Sequence, residues 1–350
     1  MAEKPLMVGG QAVLEGVMMR SPGGYAVSVR RANGAISTVD VAYVPLSRRF
    51  PILKLPVLRG AVSLIEMMVI GMKSLDFSAN EAAADEAAAK NPAPATEAGA
   101  ERKREIPKSA MIGTVAFSLL IGLTLFVVVP NLSAHFLAKV GSGGQTMYEE
   151  HAPVTYNLIS GFIRMLIIVG YIWAISFLPD VKRLFQYHGA EHKAVSAFEA
   201  GRDLTVENVQ PFTRLHPRCG TTFIAITLIV SIVVFAFFAK FLLLVWPAFG
   251  DLGFWPRKVL LILGHIVIMP LVAGVCFELL RLGAAKRGNI FLRLLIAPGF
   301  WFQRLTTREP DDSMVEVAIA ALKAALAIET VSVAENQSSI LPAGNQGAEG

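Results

Sequence analysis

Tyr187-His188-Gly189-Ala190-Glu191-His192-Lys193 places two histidines four residues apart with a glutamate between them. Further on, His216-Pro217-Arg218-Cys219 sets a third histidine three residues from one of the chain's two cysteines. Imidazoles at i and i+4 on a helix can both reach one ion, and a cysteine or a third histidine completes a tetrahedral set. These residue types therefore point to metal binding, with His188, His192, His216 and Cys219 as ligands. A divalent metal is expected, and zinc suits the mixture of imidazole and thiol. The competing reading is a histidine pair packed against a neighbour or hydrogen-bonded to carbonyls.

His-x-x-Glu-His is also the ligand order of the inverted zinc-peptidase motif, whose glutamate handles a water on the metal. On that pattern Glu191 serves as general base, and Arg218 steadies developing negative charge. The segment should be helical, because Asp180 after Pro179 makes a natural N-cap and Gly201 a C-cap. His188 and His192 then share a face with Val181, Leu184, Phe185, Val195 and Glu199, while Lys182, Arg183 and Lys193 point to water. Cys219 is expected at a helix N-terminus, where unsatisfied amides favour the thiolate; its plainer role is a small residue in a tight turn.

What must position these groups is a membrane fold. A chain of 350 residues that is 54% hydrophobic, with a mean hydropathy of +0.53, is too apolar for an ordinary soluble protein. The expected fold class is a mainly α-helical integral membrane protein with about four transmembrane helices, interfacial helices and a small N-terminal antiparallel β module. Spans are expected near 109–130, 156–178, 222–245 and 259–280, inside a membrane domain covering 107–306. Lysines and arginines precede the first span, fill the loop between the second and third, and follow the fourth. The positive-inside rule then makes both termini and the His-motif loop 180–221 cytosolic. Orientation also explains the net charge of +5, and without an aromatic-interleaved basic patch no nucleic acid partner is expected. Met1 to Pro5 lack the features of a signal peptide, and Cys219 and Cys276 fall at cytosolic helix ends, where no disulfide is expected.

Residues 7–45 read as a small antiparallel β module of three strands: a run from Ala12 to Met19, Tyr25 to Arg30, and Ala35 to Val44. Asn33-Gly34 is the strongest hairpin signal. Gln11, Glu15 and Arg20 read as a solvated strand face, with Glu15 as an alternative extra ligand. Residues 50–77 fit an interfacial or re-entrant helix, and 78–106, rich in Ala, Glu and Pro, a disordered linker. The amphipathic 290–306 suits the headgroup region. An amphipathic C-terminal helix is expected over 311–329, docking through Met314, Val317, Ala318, Ala321, Leu322 and Ala325, before a disordered tail over 330–350. Arg164 and His265 are polar groups inside spans with structural roles favoured, and Glu278 and Arg281 are either further site candidates or an i, i+3 ion pair.

Four motifs together, Gly9 to Arg20, Tyr187 to Lys193, His216 to Phe223 and Leu305 to Pro310, resemble the YqhQ-like family of bacterial membrane proteins. The resemblance runs from Met7 to about Ile328, apart from the 78–105 linker. It implies a bacterial cytoplasmic (inner) membrane location, crossed several times, and a metal-dependent enzyme with His188, His192, His216 and Cys219 as the positions to test. It implies no particular substrate.

Two functions from different classes follow. The first is a metal-dependent, hydrolase-like membrane enzyme with its site at the cytosolic surface of the lipid bilayer, acting on a lipid-linked or membrane-peptide substrate. The second is a non-enzymatic scaffold or accessory subunit that docks a membrane-protein partner or a homo-oligomer, with a structural metal or none. A transporter is disfavoured, because the chain has neither an internal repeat nor a pair of broken helices.

Overall fold

A computed structural model describes residues 6, 8–90, 108–141, 153–285 and 289–340. Four short strands form an antiparallel meander, β1 Gly9–Val13, β2 Gly16–Ser21, β3 Gly24–Arg30 and β4 Ile36–Ala42, in the order β1-β2-β3-β4. The sequence suggested three strands; the run through Ala12 to Met19 instead folds back on itself, so that Val13 pairs with Gly16. Glu15 makes that turn by adopting a left-handed backbone, φ 51°. At the next connection Gly34 takes φ 86°, the conformation for which the Asn-Gly signal selects.

Helices follow as α1 Leu46–Arg49, α2 Leu58–Lys90, α3 Lys108–Leu123, α4 Val129–Gly141, α5 Pro153–Ile175, α6 Pro179–Glu199, α7 Val206–Val209, α8 Gly220–Val245, α9 Phe254–Ala285, α10 Ile290–Thr306 and α11 Asp312–Ile340. The chain divides into two units: Met1–Asn91 with Ser176–Gly220 and Gln303–Gly350, and Pro92–Ile175 with Thr221–Phe302.

In the first unit the sheet is covered on both faces. Successive side chains of a strand point to opposite sides, so Val17, Met19 and Ala26 pack with α6 and α11 while Met18, Tyr25, Val27 and Val29 pack with Ile70 of α2. This corrects the solvated strand face expected around Gln11 and Arg20, whereas Glu15, in the turn, keeps a side chain 39% exposed. Arg20 pairs with Glu66 of α2 at 3.1 Å and lies over the Tyr43 ring, and the Gln11 amide abuts Gly71. Covering both faces satisfies the strands' near-continuous apolar content, which a one-sided sheet would leave wet.

Helix α2 runs unbroken to Lys90, so residues 78–90 are helical where composition suggested a linker. They are held there because Asp85 and Glu81 grip Arg31, with Asp85 also accepting from the Ala32 amide at 2.7 Å, and because Ser78 is buried. With no turn inside it, α2 has no re-entrant break; the rest of the expected linker lies outside the described residues. Helix α11 carries the docking stripe as patterned, with Met314, Val317, Ala318, Ala321, Leu322 and Ala325 all buried in the core. It also extends to Ile340, into the expected tail, of which 341–350 lie outside the described residues.

The second unit is mainly helical, with a core of Ile226, Val272, Cys276, Leu280 and Ile296. Among the described residues three stretches are long and apolar enough to cross a membrane: Val154–Ile175, Gly220–Val245 and Trp255–Gly283. About four were expected. The remaining one falls on α3 and α4, which a π-helical turn over Thr124–Val128 separates, leaving the shorter apolar helix Ala116–Phe126.

Candidate metal centre

Helix α6 starts with Pro179 at its first position and Asp180 in its first turn, two residues past the N-cap, which is Leu178 rather than the expected Asp180, and Gly201 follows its end at φ 66°. From Tyr187 to Ala197 it is buried almost all round. Two neighbours do this beyond the sheet and α11: the 203–219 loop, and the strap from Gln303 to Asp312. The strap lies against α6 at Gly189, where a Cβ would fall on the Arg308 carbonyl, and the Arg308 amide donates to Phe185 O at 2.8 Å. A glycine is what permits that approach.

The wrapping explains one departure from the helical-wheel expectation. Lys193, placed in water by its position on the wheel, is only 6% exposed. Its Nζ donates to Gln210 O at 2.8 Å and Gln210 Oε1 at 3.0 Å and pairs with Glu309 at 2.8 Å. A buried ammonium needs such partners. Lys182 and Arg183 are exposed as expected.

His188, His192 and Cys219 converge: one ring nitrogen of each histidine and Cys219 Sγ lie within 4.8 Å of one another. His188 Nδ1 donates to Thr306 O at 2.8 Å, and His192 Nδ1 donates to Arg214 O at 2.6 Å. A carbonyl can only accept, so each ring carries a proton on Nδ1, which leaves Nε2 as the atom that could bind an ion. His188 Nε2 lies 3.2 Å from Cys219 Sγ. His192 Nε2 is buried without a hydrogen-bond partner. Burial, and to a lesser degree His188, pulls the His192 imidazolium below its ordinary range against the opposing pull of Cys219, leaving a neutral donor ring. An imidazole fixed by Nδ1–H to a carbonyl with Nε2 turned inward is the usual posture of a metal-binding histidine. The three donors therefore fit a divalent metal of intermediate softness.

The other predicted residues take different places. The His216 ring is tilted against that of His192 with centroids 5.8 Å apart, but its Nδ1 accepts from the Arg218 amide at 3.4 Å and its Nε2 faces Glu199 at 3.4 Å. It stands beside the converging three rather than among them. Arg218 pairs with the same Glu199 carboxylate. Glu191 is 5% exposed; burial raises its carboxyl above the ordinary range, against the pull of His188, His216 and the Gly10 N–H, and its Oε2 has no hydrogen-bond partner. Glu15 does not join the site: its carboxylate is taken by Arg183 and by the Tyr187 hydroxyl, which donates at 3.3 Å. Glu278 and Arg281 belong to α9 in the second unit.

Sequence reasoning missed the groups that aim the ligands. Gln303 Oε1 accepts from His216 N at 2.9 Å and its Nε2 donates to His216 O at 2.7 Å, so one fully buried amide holds the hook that carries Cys219. Arg214, whose carbonyl aims His192, is itself tied to Thr307 O and Oγ1. A lone amide directly after the apolar run 294–302 was the available signal. Gln303→Leu should weaken divalent-metal affinity by about 10–100-fold, because outer-shell partners typically carry that much. A competition titration reads it, and unchanged affinity would remove the clamp from this account.

A family model described as a protein of unknown function (DUF1385) matches residues 55–328. The chain is 33% identical over 333 residues to the uncharacterized protein YqhQ of Bacillus subtilis (strain 168), a match covering 94% of this chain and 95% of that protein. No solved structure matches. With the family model spanning most of the chain and the relative matched nearly end to end, the protein belongs to the YqhQ-like DUF1385 family.

Proposed function

We propose that this protein is a metal-dependent, hydrolase-like enzyme of the bacterial inner membrane, with zinc or a similar divalent ion held by His188, His192 and Cys219. The observation that carries it is the shared posture of the two imidazoles, each pinned through Nδ1 to a carbonyl so that both Nε2 atoms turn towards the thiol. Three protein donors rather than four favour an open, catalytic site over a closed structural one among the described residues. A divalent ion there would supply Lewis acidity. Glu191, buried beside the ligands with Oε2 unpaired, offers an oxygen to take or hold a proton. Arg218, anchored by Glu199, steadies negative charge, and His216 braces that pair.

Topology supports the location. The three pieces of the first unit pack into one body, so they lie on one side of a bilayer. Between Asn91 and Ser176 the chain then crosses an even number of times, and Val154–Ile175 supplies one crossing. Helices α3 and α4 supply its partner, for four spans in all, and the positive-inside rule puts both termini and the site in the cytosol. A lipid-linked or membrane-peptide substrate is the class this location favours.

Purified protein should retain about one divalent ion per chain. Exchanged into cobalt, it should display a thiolate charge-transfer band that disappears in Cys219→Ser. Metal-free wild type that takes up no cobalt would end the proposal. If metal binds with four protein donors instead, the scaffold reading takes its place.

A further inference from the structure

Between Val41 and Ile65 the chain carries Arg48, Arg49, Lys54 and Arg59 and no acidic residue. Arg48, Arg49 and Lys54 are exposed, and so are Phe50, Ile52 and Leu55 among them, at 52–66%. Helix α2 continues the pattern. One face, with Gly60, Glu66, Ile70, Gly71, Ser74 and Ser78, is buried against the first unit. The other presents Leu58, Ile65, Met68, Val69, Met72 and Leu75, each 39–65% exposed. At about 100° per residue those positions fall within one side of the helix and form a stripe about 26 Å long. Beyond Leu75 the exposed residues turn small or polar, Asp76, Ala79 and Asn80.

An exposed apolar stripe of this extent marks an interaction surface. Its occupant follows from the charges. A second copy would bring the same cations against one another, which disfavours self-pairing. A bilayer leaflet with anionic headgroups offers apolar depth for the stripe and negative charge for the cations at its end. The chain also leaves the first unit for its apolar helices at Ile175 and Gly220, which keeps this unit at a membrane surface. Val57, at the elbow between the basic segment and α2, holds φ 71°, a conformation a β-branched residue rarely adopts.

We infer that residues 46–75 form an in-plane anchor that lays the first unit on an acidic leaflet, with Arg48, Arg49 and Lys54 on lipid phosphates and the α2 stripe in the acyl boundary. This rests on the membrane reading of the long apolar helices, and the test separates the two. The full chain is placed in nanodiscs with doxyl-labelled lipid tails, and single added cysteines at Met68, Met72, Asn80 and Leu263 carry an environment-sensitive fluorophore, the buried Cys219 and Cys276 being kept and the unsubstituted chain serving as the labelling blank.

Labels at Met68→Cys and Met72→Cys should be quenched strongly, and the label at Asn80→Cys weakly. In phosphatidylglycerol discs, Arg48→Gln/Arg49→Gln/Lys54→Gln should lose most of the quenching at Met68→Cys; in phosphatidylcholine discs the triple variant should change little. Quenching at Leu263→Cys, exposed on α9, reports the span itself. If that label is quenched and those at Met68→Cys and Met72→Cys are not, the anchor is wrong and the spans stand. If the Leu263→Cys label is not quenched, the membrane reading fails first. Self-quenching between Met68→Cys labels, or equal behaviour of the triple variant in both lipids, would likewise overturn the acidic-leaflet anchor.

Discussion

His188→Ala/His192→Ala protein is expected to emerge from purification carrying only background metal, while wild type retains its ion. The double variant deletes two of the three converging donors, and the remaining thiol cannot hold a divalent ion alone. The loss should exceed the roughly 10–100-fold that outer-shell substitutions cost. His192 is 1% exposed, so its removal also leaves a void and orphans the Arg214 carbonyl it now satisfies. The fold therefore needs its own readout. Gel filtration and far-UV circular dichroism should match wild type, and His188→Ala alone, with its partly exposed ring, should already lose most of the metal. Full metal occupancy in a folded double variant would show that these imidazoles only support the helix.

Leu322→Ala should be the most damaging single change outside the site. Leu322 is fully buried on α11, in the core that joins α11 and α6 to the sheet. Truncation there removes buried methylenes and leaves a cavity that close-packed neighbours fill poorly, at a cost of about 2–5 kcal/mol. For a domain of this size that lowers the melting temperature by several degrees. Lys323→Ala, one residue along on the exposed side of the same helix, should change stability by no more than about 0.5 kcal/mol. A thermal-shift comparison of the two in detergent decides the matter. Equal melting temperatures would mean that α11 is not part of the folded core.

Local patterns were legible because local physics produces them. His188 and His192 fall on one face because the helix repeats every 3.6 residues, and the α11 stripe is buried because six apolar side chains recur on that same period. The Asn33-Gly34 turn and the long apolar runs behave likewise. The Leu14-Glu15 reversal was hidden, because a non-glycine residue in a left-handed conformation leaves little mark on composition. Helix 78–90 was hidden too, since an Ala and Glu tract reads as a linker until Arg31 is seen to hold it.

Composition, apolar run lengths and the two histidine motifs by themselves pointed to a membrane-type chain and to His188, His192, His216 and Cys219 as one candidate metal cluster. Only the tertiary structure decided that Gln303, Thr306 and Arg214 aim those donors, that His216 turns to Glu199, and that Lys193 is buried. The reason is separation along the chain. Gln303 lies 87 residues from His216 and Thr306 lies 118 from His188, and no periodicity in a single chain records which carbonyl meets which ring once distant segments pack.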